Sequence, residues 1–126
     1  MNKEFVPYEL AVKLKELGFN ERCLFAFDNC STPMRCTDLR TSDQKFNGVN
    51  YNSSSYTSQP TFSQAFRWFR EKYNLYSFVF KFDEGFGYET FKEGVTQTNE
   101  SFDTYEEAEL ACLNKLIEII EQQKQN

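Results

Sequence analysis

The chain has 126 residues, a length that fits one domain of ordinary size, so a single domain over residues 1–126 is expected. Hydrophobic residues make up 40% and aromatic residues 17% of it, which is too much apolar surface for an intrinsically disordered protein. No stretch approaches the ~20 consecutive apolar residues of a membrane-spanning helix. The formal net charge of -5 argues against tight non-specific nucleic-acid binding, because such binding depends on neutralising phosphates.

The first predicted element is an N-terminal helix. Leu10, Leu14 and Leu17 recur at the spacing of one helix face. Gly18 then supplies the left-handed residue that ends many helices, and Phe19 can fold back onto the last turn. The chain is therefore expected to reverse direction at Gly18.

A short strand and a long irregular segment follow. Cys23–Phe27 is apolar and predicts a buried strand, with possible strand character again around Cys36–Arg40. Asn47–Gln59 is rich in Asn and Ser and predicts a flexible, exposed loop. Loops of this length in a compact domain tend to be functional or simply mobile.

A second helix is predicted after the loop. Thr61 and Gln64 have the spacing of a capping box, in which each side chain satisfies a backbone N–H at the helix start. Apolar residues then recur on one face of the predicted helix: Phe62, Ala65, Phe66, Phe69 and Tyr73.

An aromatic hairpin comes next. Tyr76, Phe78, Phe80 and Phe82 alternate with other residues, which is the period of a strand with one buried face. A second strand at about Phe86–Lys92 is expected to return antiparallel to it. The hairpin is therefore expected to present a strongly aromatic surface.

The last predicted element is a long helix. Thr104 and Glu107 form another capping box, and the acidic first turn complements the helix dipole. Leu110 and Ile117 flank its main apolar stripe, so either the helix lies deep in the core or these two residues meet a partner. The stripe itself consists of Tyr105, Ala108, Cys112, Leu116, Ile119 and Ile120.

The element order predicts the fold class. The order α-β-α-β-β-α lacks the strict strand-helix alternation of a doubly wound fold. We therefore expect an α+β protein with a small antiparallel sheet of about three strands packed with three helices.

The sequence offers little catalytic or metal-binding chemistry. Histidine is absent, which removes the commonest general base and the commonest neutral metal ligand. Cys23, Cys30, Cys36 and Cys112 could in principle hold zinc, but their gaps exceed those of zinc knuckles. Nucleotide-binding glycine motifs are also missing. These patterns predict a protein that is not an enzyme, with no metal and no cofactor.

Two surfaces are candidates for protein–protein contacts. Trp68, Arg67 and Arg70 lie on the second helix, and Trp and Arg are enriched in binding hot spots. Leu110 and Ile117 on the last helix are the second candidate. The partner of these two residues could also be a second copy of the chain, in a homo-oligomer. No signal peptide is visible, so we expect cytoplasmic localisation and reduced cysteines.

The alternative function is weak binding of single-stranded nucleic acid. Residues 31–82 hold seven Lys/Arg against three Asp/Glu, and the second helix interleaves bases with aromatic residues. In the competing interpretation the aromatics pack in the core and the charges form a solvated face. The bases that would contact phosphates are Arg35, Arg40, Lys45, Arg67, Arg70 and Lys72.

Three segments carry a resemblance to other proteins: Asn2–Phe19, Pro60–Phe78 (PTFSQAFRWFREKYNLYSF) and Phe102–Ile120 (FDTYEEAELACLNKLIEII). They resemble a group of small uncharacterised proteins of gut Bacteroidales bacteria and their phages. The resemblance implies an origin rather than an activity. It favours a small phage or mobile-element accessory protein that acts by binding a host or phage protein.

Overall fold

The chain divides into two compact units, Asn2–Thr61 and Phe62–Asn126. The computed structural model describes residues 2–28, 35–36, 56–92, 95–98 and 101–125. Three α-helices and short antiparallel strands make up these residues, so the predicted α+β class is confirmed. The single domain over residues 1–126 stays a prediction.

The N-terminal unit contains one helix and a three-stranded antiparallel sheet of order β2-β1-β3. The predicted strand Cys23–Phe27 begins two residues later than expected, and of the segment Cys36–Arg40 only Cys36 lies within the described residues. The elements are a 3₁₀ turn at Asn2–Glu4, α1 at Tyr8–Glu16, β1 at Phe25–Asp28, β2 at Arg35–Cys36 and β3 at Tyr56–Gln59.

The predicted loop Asn47–Gln59 needs one correction. Residues 47–55 lie outside the described part of the chain, but Tyr56–Gln59 forms β3, which pairs with β1 from Phe25↔Gln59 to Asp28↔Tyr56. Its polar side chains are buried, and the Gln59 side-chain amide donates a hydrogen bond of 3.0 Å to the Val6 carbonyl. Pairing with a distant strand satisfies the backbone of β3, and the local composition contains no sign of that partner.

The end of α1 confirms the prediction made for Gly18. Gly18 has a φ of 102°, its N–H donates to the Lys15 carbonyl at 3.0 Å, and the Phe19 N–H donates to the Leu14 carbonyl at 2.9 Å. These two bonds form a Schellman motif, which satisfies carbonyls that the helix itself leaves without a partner. Phe19 is buried, as expected for the residue that folds back.

The C-terminal unit contains two helices and a second three-stranded antiparallel sheet, of order β4-β5-β6. Phe82 pairs with Gly85 across a two-residue turn, so the predicted aromatic hairpin is confirmed. The elements are α2 at Phe62–Tyr73, β4 at Tyr76–Phe82, β5 at Gly85–Lys92, β6 at Val95–Thr98 and α3 at Tyr105–Lys124.

The number of strands exceeds the prediction of about three. The structure has two three-stranded sheets, one in each unit, because β2, β3 and β6 add to the strands expected from sequence. Each added strand has two to four residues. A strand this short carries too few alternating positions to be recognised before its partner is known.

The long helix α3 starts as predicted. The Thr104 hydroxyl accepts a hydrogen bond of 3.1 Å from the Glu107 N–H and donates one of 3.0 Å to the Glu107 carboxylate. The buried side of α3 packs against β4 and β5 and supplies half of the buried hydrophobic residues of this unit. No helix in the described part of the chain is long and apolar enough to cross a membrane.

We predict that Gly18→Ala destabilises the protein by about 1–2 kcal/mol, because a Cβ is strained at the positive φ of Gly18. Urea denaturation followed by circular dichroism measures the change. Asn74→Gly is the matched control, since Asn74 has a φ of 54° just after α2 and glycine adopts that conformation without strain. An equal loss of stability in both variants would contradict the assignment of strain to Gly18.

Candidate functional site

One face of the β4-β5 hairpin packs against α3. Ser77 and Val79 of β4 point to this side, where the Ser77 hydroxyl is hydrogen-bonded to the fully buried Cys112 thiol of α3. Tyr88 and Thr90 of β5 pair with Val79 and Ser77 and are likewise buried. The inner face of the hairpin therefore carries two hydroxyl side chains, one aliphatic side chain and one tyrosine.

The opposite face of the hairpin is aromatic and exposed. We call it the aromatic face; it consists of Tyr76, Phe78, Phe80 and Phe82 of β4 and Phe91 of β5. Phe78 is 53% exposed and Tyr76 48%, while Phe91, which pairs directly with Tyr76, is 44% exposed. The strongly aromatic surface expected of the hairpin is therefore its exposed side.

The physical reason lies in β5. Its large and buried residues, Tyr88 and Thr90, occupy the side that meets α3, whereas Gly87 lies on the aromatic side. Alternation along β4 shows which residues share a face, but it does not show which face the helix covers. Because one helix layer covers one side of a sheet, the aromatic side is left open.

The rings of the aromatic face form an ordered row. The centroids of Phe78 and Phe80 are 5.9 Å apart, and those of Phe80 and Phe82 are 5.8 Å apart. A Cβ at Gly87 would lie 3.0 Å from the Phe82 ring and 3.1 Å from the Phe80 ring. Because Gly87 has no side chain, the rings of Phe80 and Phe82 can pack directly against β5 at this position.

The aromatic face is large enough to be a binding surface. With about 200 Å² for a fully exposed aromatic side chain, the exposed fractions of Tyr76, Phe78, Phe82 and Phe91 correspond to roughly 350–400 Å². Contiguous apolar patches of this size on a protein surface often mark functional sites.

Acidic residues accompany the aromatic face. Asp83 and Glu84 form the exposed turn next to Phe82, and Glu89 lies opposite Phe78 on the same side of the hairpin. Residues 62–126 contain seven Lys/Arg and twelve Asp/Glu, a net charge of -5. The residues of the aromatic face are therefore apolar or aromatic, acidic residues lie beside them, and the unit as a whole has a net negative charge.

The three site residues predicted on α2 have different surroundings. Arg67 is exposed and Arg70 is half-buried, but Trp68 is buried, with 6% of its surface exposed. Trp68 packs edge-on against Phe69 and Tyr73, and the Lys72 ammonium lies 5.2 Å from its ring centroid. Trp68 therefore acts as a core residue and has little surface to offer a partner.

The two site residues predicted on α3 are also separated by burial. Leu110 is 41% exposed, whereas Ile117 is fully buried together with Leu113. Tyr105, expected on the buried stripe, is exposed. The buried side of α3 therefore includes Ile117 and not Tyr105. Of the two alternatives for Ile117, a place in the core or contact with a partner, its burial favours the core.

The basic residues of the nucleic-acid alternative are only partly described. Arg40 and Lys45 lie outside the described residues, and the side chain of Arg35 is not described either. On α2 the aromatic residues that interleave with the bases are buried or half-buried. They do not form an exposed platform on which bases could stack.

The two cysteines whose side chains are described, Cys23 and Cys112, are structural. Burial raises the pKa of the Cys112 thiol to about 12, and burial followed by the charge of Glu21 does the same for Cys23. A thiol with such a pKa is not a nucleophile at neutral pH. Within the described residues, no group of three or more Cys, Asp or Glu side chains could hold a metal ion.

Comparisons with protein-family models, with curated proteins and with solved structures found no match. The surfaces of the chain are therefore what indicates its function. The alternation of β4 predicted a strongly aromatic hairpin surface, but it did not show which side of the sheet α3 covers.

We predict that Phe78→Ser changes the free energy of unfolding by less than about 1 kcal/mol, because the Phe78 ring is already half in water. Phe69→Ala is the contrasting variant. Phe69 is fully buried in α2, so its loss should cost about 3–5 kcal/mol. Urea denaturation compares the two, and a large loss in Phe78→Ser would show that the aromatic face is part of the core.

We also predict that the protein loses stability at alkaline pH through its buried thiols. The pKa of both thiols is raised from 9.0 to about 12, so the neutral form is favoured in the folded state. Their contribution is complete below pH 9 and is lost as pH rises toward 12, at about 1.4 kcal/mol per pH unit and thiol.

Urea denaturation at several pH values from 8 to about 10.5 measures this slope within the expected window. The double variant Cys23→Ala/Cys112→Ala is the control, because it retains the tyrosines and lysines that also titrate there. Identical slopes in the double variant and the unmodified protein would contradict the assignment.

Proposed function

We propose that the chain is a non-enzymatic binding protein whose aromatic face contacts another polypeptide. The observation that carries this proposal is the exposure of Tyr76, Phe78, Phe82 and Phe91 on one side of a single hairpin. A folded protein has a strong tendency to bury such rings, since burying an aromatic side chain contributes roughly 1.5–3 kcal/mol. Their joint exposure is accounted for by a partner that covers them.

The geometry of the row supports a protein partner. Aromatic side chains offer large contact areas at a small cost in conformational entropy, and they are enriched at the centres of protein interfaces. The rings of Phe80 and Phe82 are held against Gly87, so less ordering is required when a partner binds. An extended segment or a helix could lie along the row of rings.

The charge of the unit supports a protein over a nucleic acid. The rings could in principle stack on bases, but single-strand binders combine stacking with a positively charged groove. Here Glu89 lies opposite Phe78 beside the aromatic face, and Asp83 and Glu84 follow Phe82, on a unit with a net charge of -5. Phosphates would be repelled, whereas a polypeptide with apolar and basic side chains would be attracted.

The sequence resemblance supports the biological setting of the proposal. A small accessory protein of a phage or mobile element that acts by binding a host or phage protein requires a contact surface and no catalytic groups. The aromatic face replaces Trp68 and Ile117 as the proposed contact, because those two side chains are buried. Arg67 and Leu110 are exposed and serve below as controls, whereas Arg70 is half-buried.

We predict that the double variant Phe78→Ser/Phe91→Ser loses the protein partners that the unmodified chain retains. A tagged pull-down from cells that express the protein, treated with nuclease and quantified by mass spectrometry, compares the two. Both substituted rings are about half exposed, so the fold is expected to survive, and circular dichroism verifies this.

The matched control is Arg67→Ser/Leu110→Ser, which removes two exposed side chains from α2 and α3 and leaves the aromatic face intact. A partner that is lost in the aromatic variant and kept in the control supports the proposal. Partner loss only in the control would move the contact to the helices. Recovery of nucleic acid that disappears with nuclease, with steep dependence on salt, would favour the single-strand alternative.

A further inference from the structure

A second surface of the same unit is the free side of β4. In the sheet order β4-β5-β6, β4 is an edge strand within the described residues. Ser77 and Val79 face α3, yet both are only half-buried, whereas Tyr88 and Thr90 beside them on β5 are buried. Within the described residues, no strand pairs with the outer side of β4.

This edge carries few of the features by which proteins prevent strands from pairing. Edge strands are usually short, or interrupted by proline, a bulge or several charges. β4 has seven residues without proline, its register with β5 is unbroken from Tyr76↔Phe91 to Phe82↔Gly85, and Lys81 is its one charged residue. Its pattern therefore permits another strand to pair along its whole length.

We propose that β4 pairs antiparallel with β4 of a second copy of this chain. The register that uses all seven residues places Val79 opposite Val79 of the other copy. Tyr76 then lies opposite Phe82 and Phe78 opposite Phe80, each twice by symmetry, and cross-strand aromatic pairs are favourable. Lys81 faces Ser77, so the pairing brings no like charges together.

Charge at the two ends of β4 supports a second copy as the occupant. The last turn of α2, just before β4, carries two basic residues, Arg70 and Lys72, against one acidic residue, Glu71, and the turn after β4 is formed by Asp83 and Glu84. Antiparallel pairing brings the start of one β4 to the end of the other. The basic end of each copy therefore meets the acidic turn of its partner, twice in the dimer.

The dimer would extend the proposed binding surface. Residues directly opposite each other in an antiparallel pair point to the same side of the sheet. The aromatic faces of the two copies would thus join into one continuous surface on a six-stranded sheet. Because a single strand pair buries less than the roughly 1,200 Å² of a standard stable interface, we expect the dimer to depend on protein concentration.

The experiment is sedimentation velocity of the full chain from micromolar concentration to about 1 mM, a range that covers weak association. The unmodified 14.9 kDa chain is expected to shift from monomer to dimer. Two variants test the register. Tyr76→Lys/Phe82→Lys places like charges opposite each other and should weaken the dimer at least about tenfold.

Tyr76→Lys/Phe82→Glu places opposite charges there instead and should retain the dimer. Within one copy, positions 76 and 82 are the two ends of β4, roughly 20 Å apart, so only the partner's strand distinguishes the variants. Leu110→Lys adds an exposed charge on α3 and should leave the dimer unchanged. All three substituted residues are exposed, and urea denaturation verifies folding.

A monomer at every concentration would overturn the proposal. So would equal dimerisation of the Lys/Lys and Lys/Glu variants, because the register would then be wrong. Amide hydrogen exchange gives a second measure: exchange within residues 76–82 should slow as the protein concentration rises, and exchange independent of concentration would exclude pairing through β4.

Discussion

The structure of the C-terminal unit depends on one constraint: α3 packs on a single face of the β4-β5 hairpin. The contact includes the hydrogen bond between the Ser77 hydroxyl and the fully buried Cys112 thiol, and the buried side of α3 also carries Leu113 and Leu116. Removing an apolar helix stripe of this kind from water is the main favourable term in folding such a unit. Once α3 has buried this stripe against one side of the hairpin, the other side of the hairpin remains in contact with solvent.

The proposed binding surface follows from that constraint. Tyr76, Phe78 and Phe82 lie on the face that α3 does not cover, and they therefore offer a partner a row of large, partly ordered rings. The second proposal depends on the sheet order, since within the described residues β6 extends the hairpin on the β5 side and no strand pairs with the other side of β4. The acidic residues beside the aromatic face then select among partners, since they disfavour phosphates and favour basic groups.

Local signals predicted most of the helical architecture. The capping residues Thr104 and Glu107, the glycine at position 18 and the apolar spacing of α1, α2 and α3 are read within one or two turns of chain. The same reasoning failed for β3, because its polar residues become buried only through pairing with β1, more than 25 residues away in sequence. It failed also for Trp68, whose burial depends on contacts with Phe69 and Tyr73 at a helix edge.

The sequence by itself determined the α+β class, the three helices and the fact that Tyr76, Phe78, Phe80 and Phe82 share one side of a strand, because these properties depend on neighbours along the chain. It did not determine whether that side is inside or outside. Only the tertiary structure decided this, since a strand alternates identically in both orientations and the packing of α3 on Tyr88 and Thr90 selects between them. The same packing places Ile117 in the core and leaves the aromatic rings at the surface.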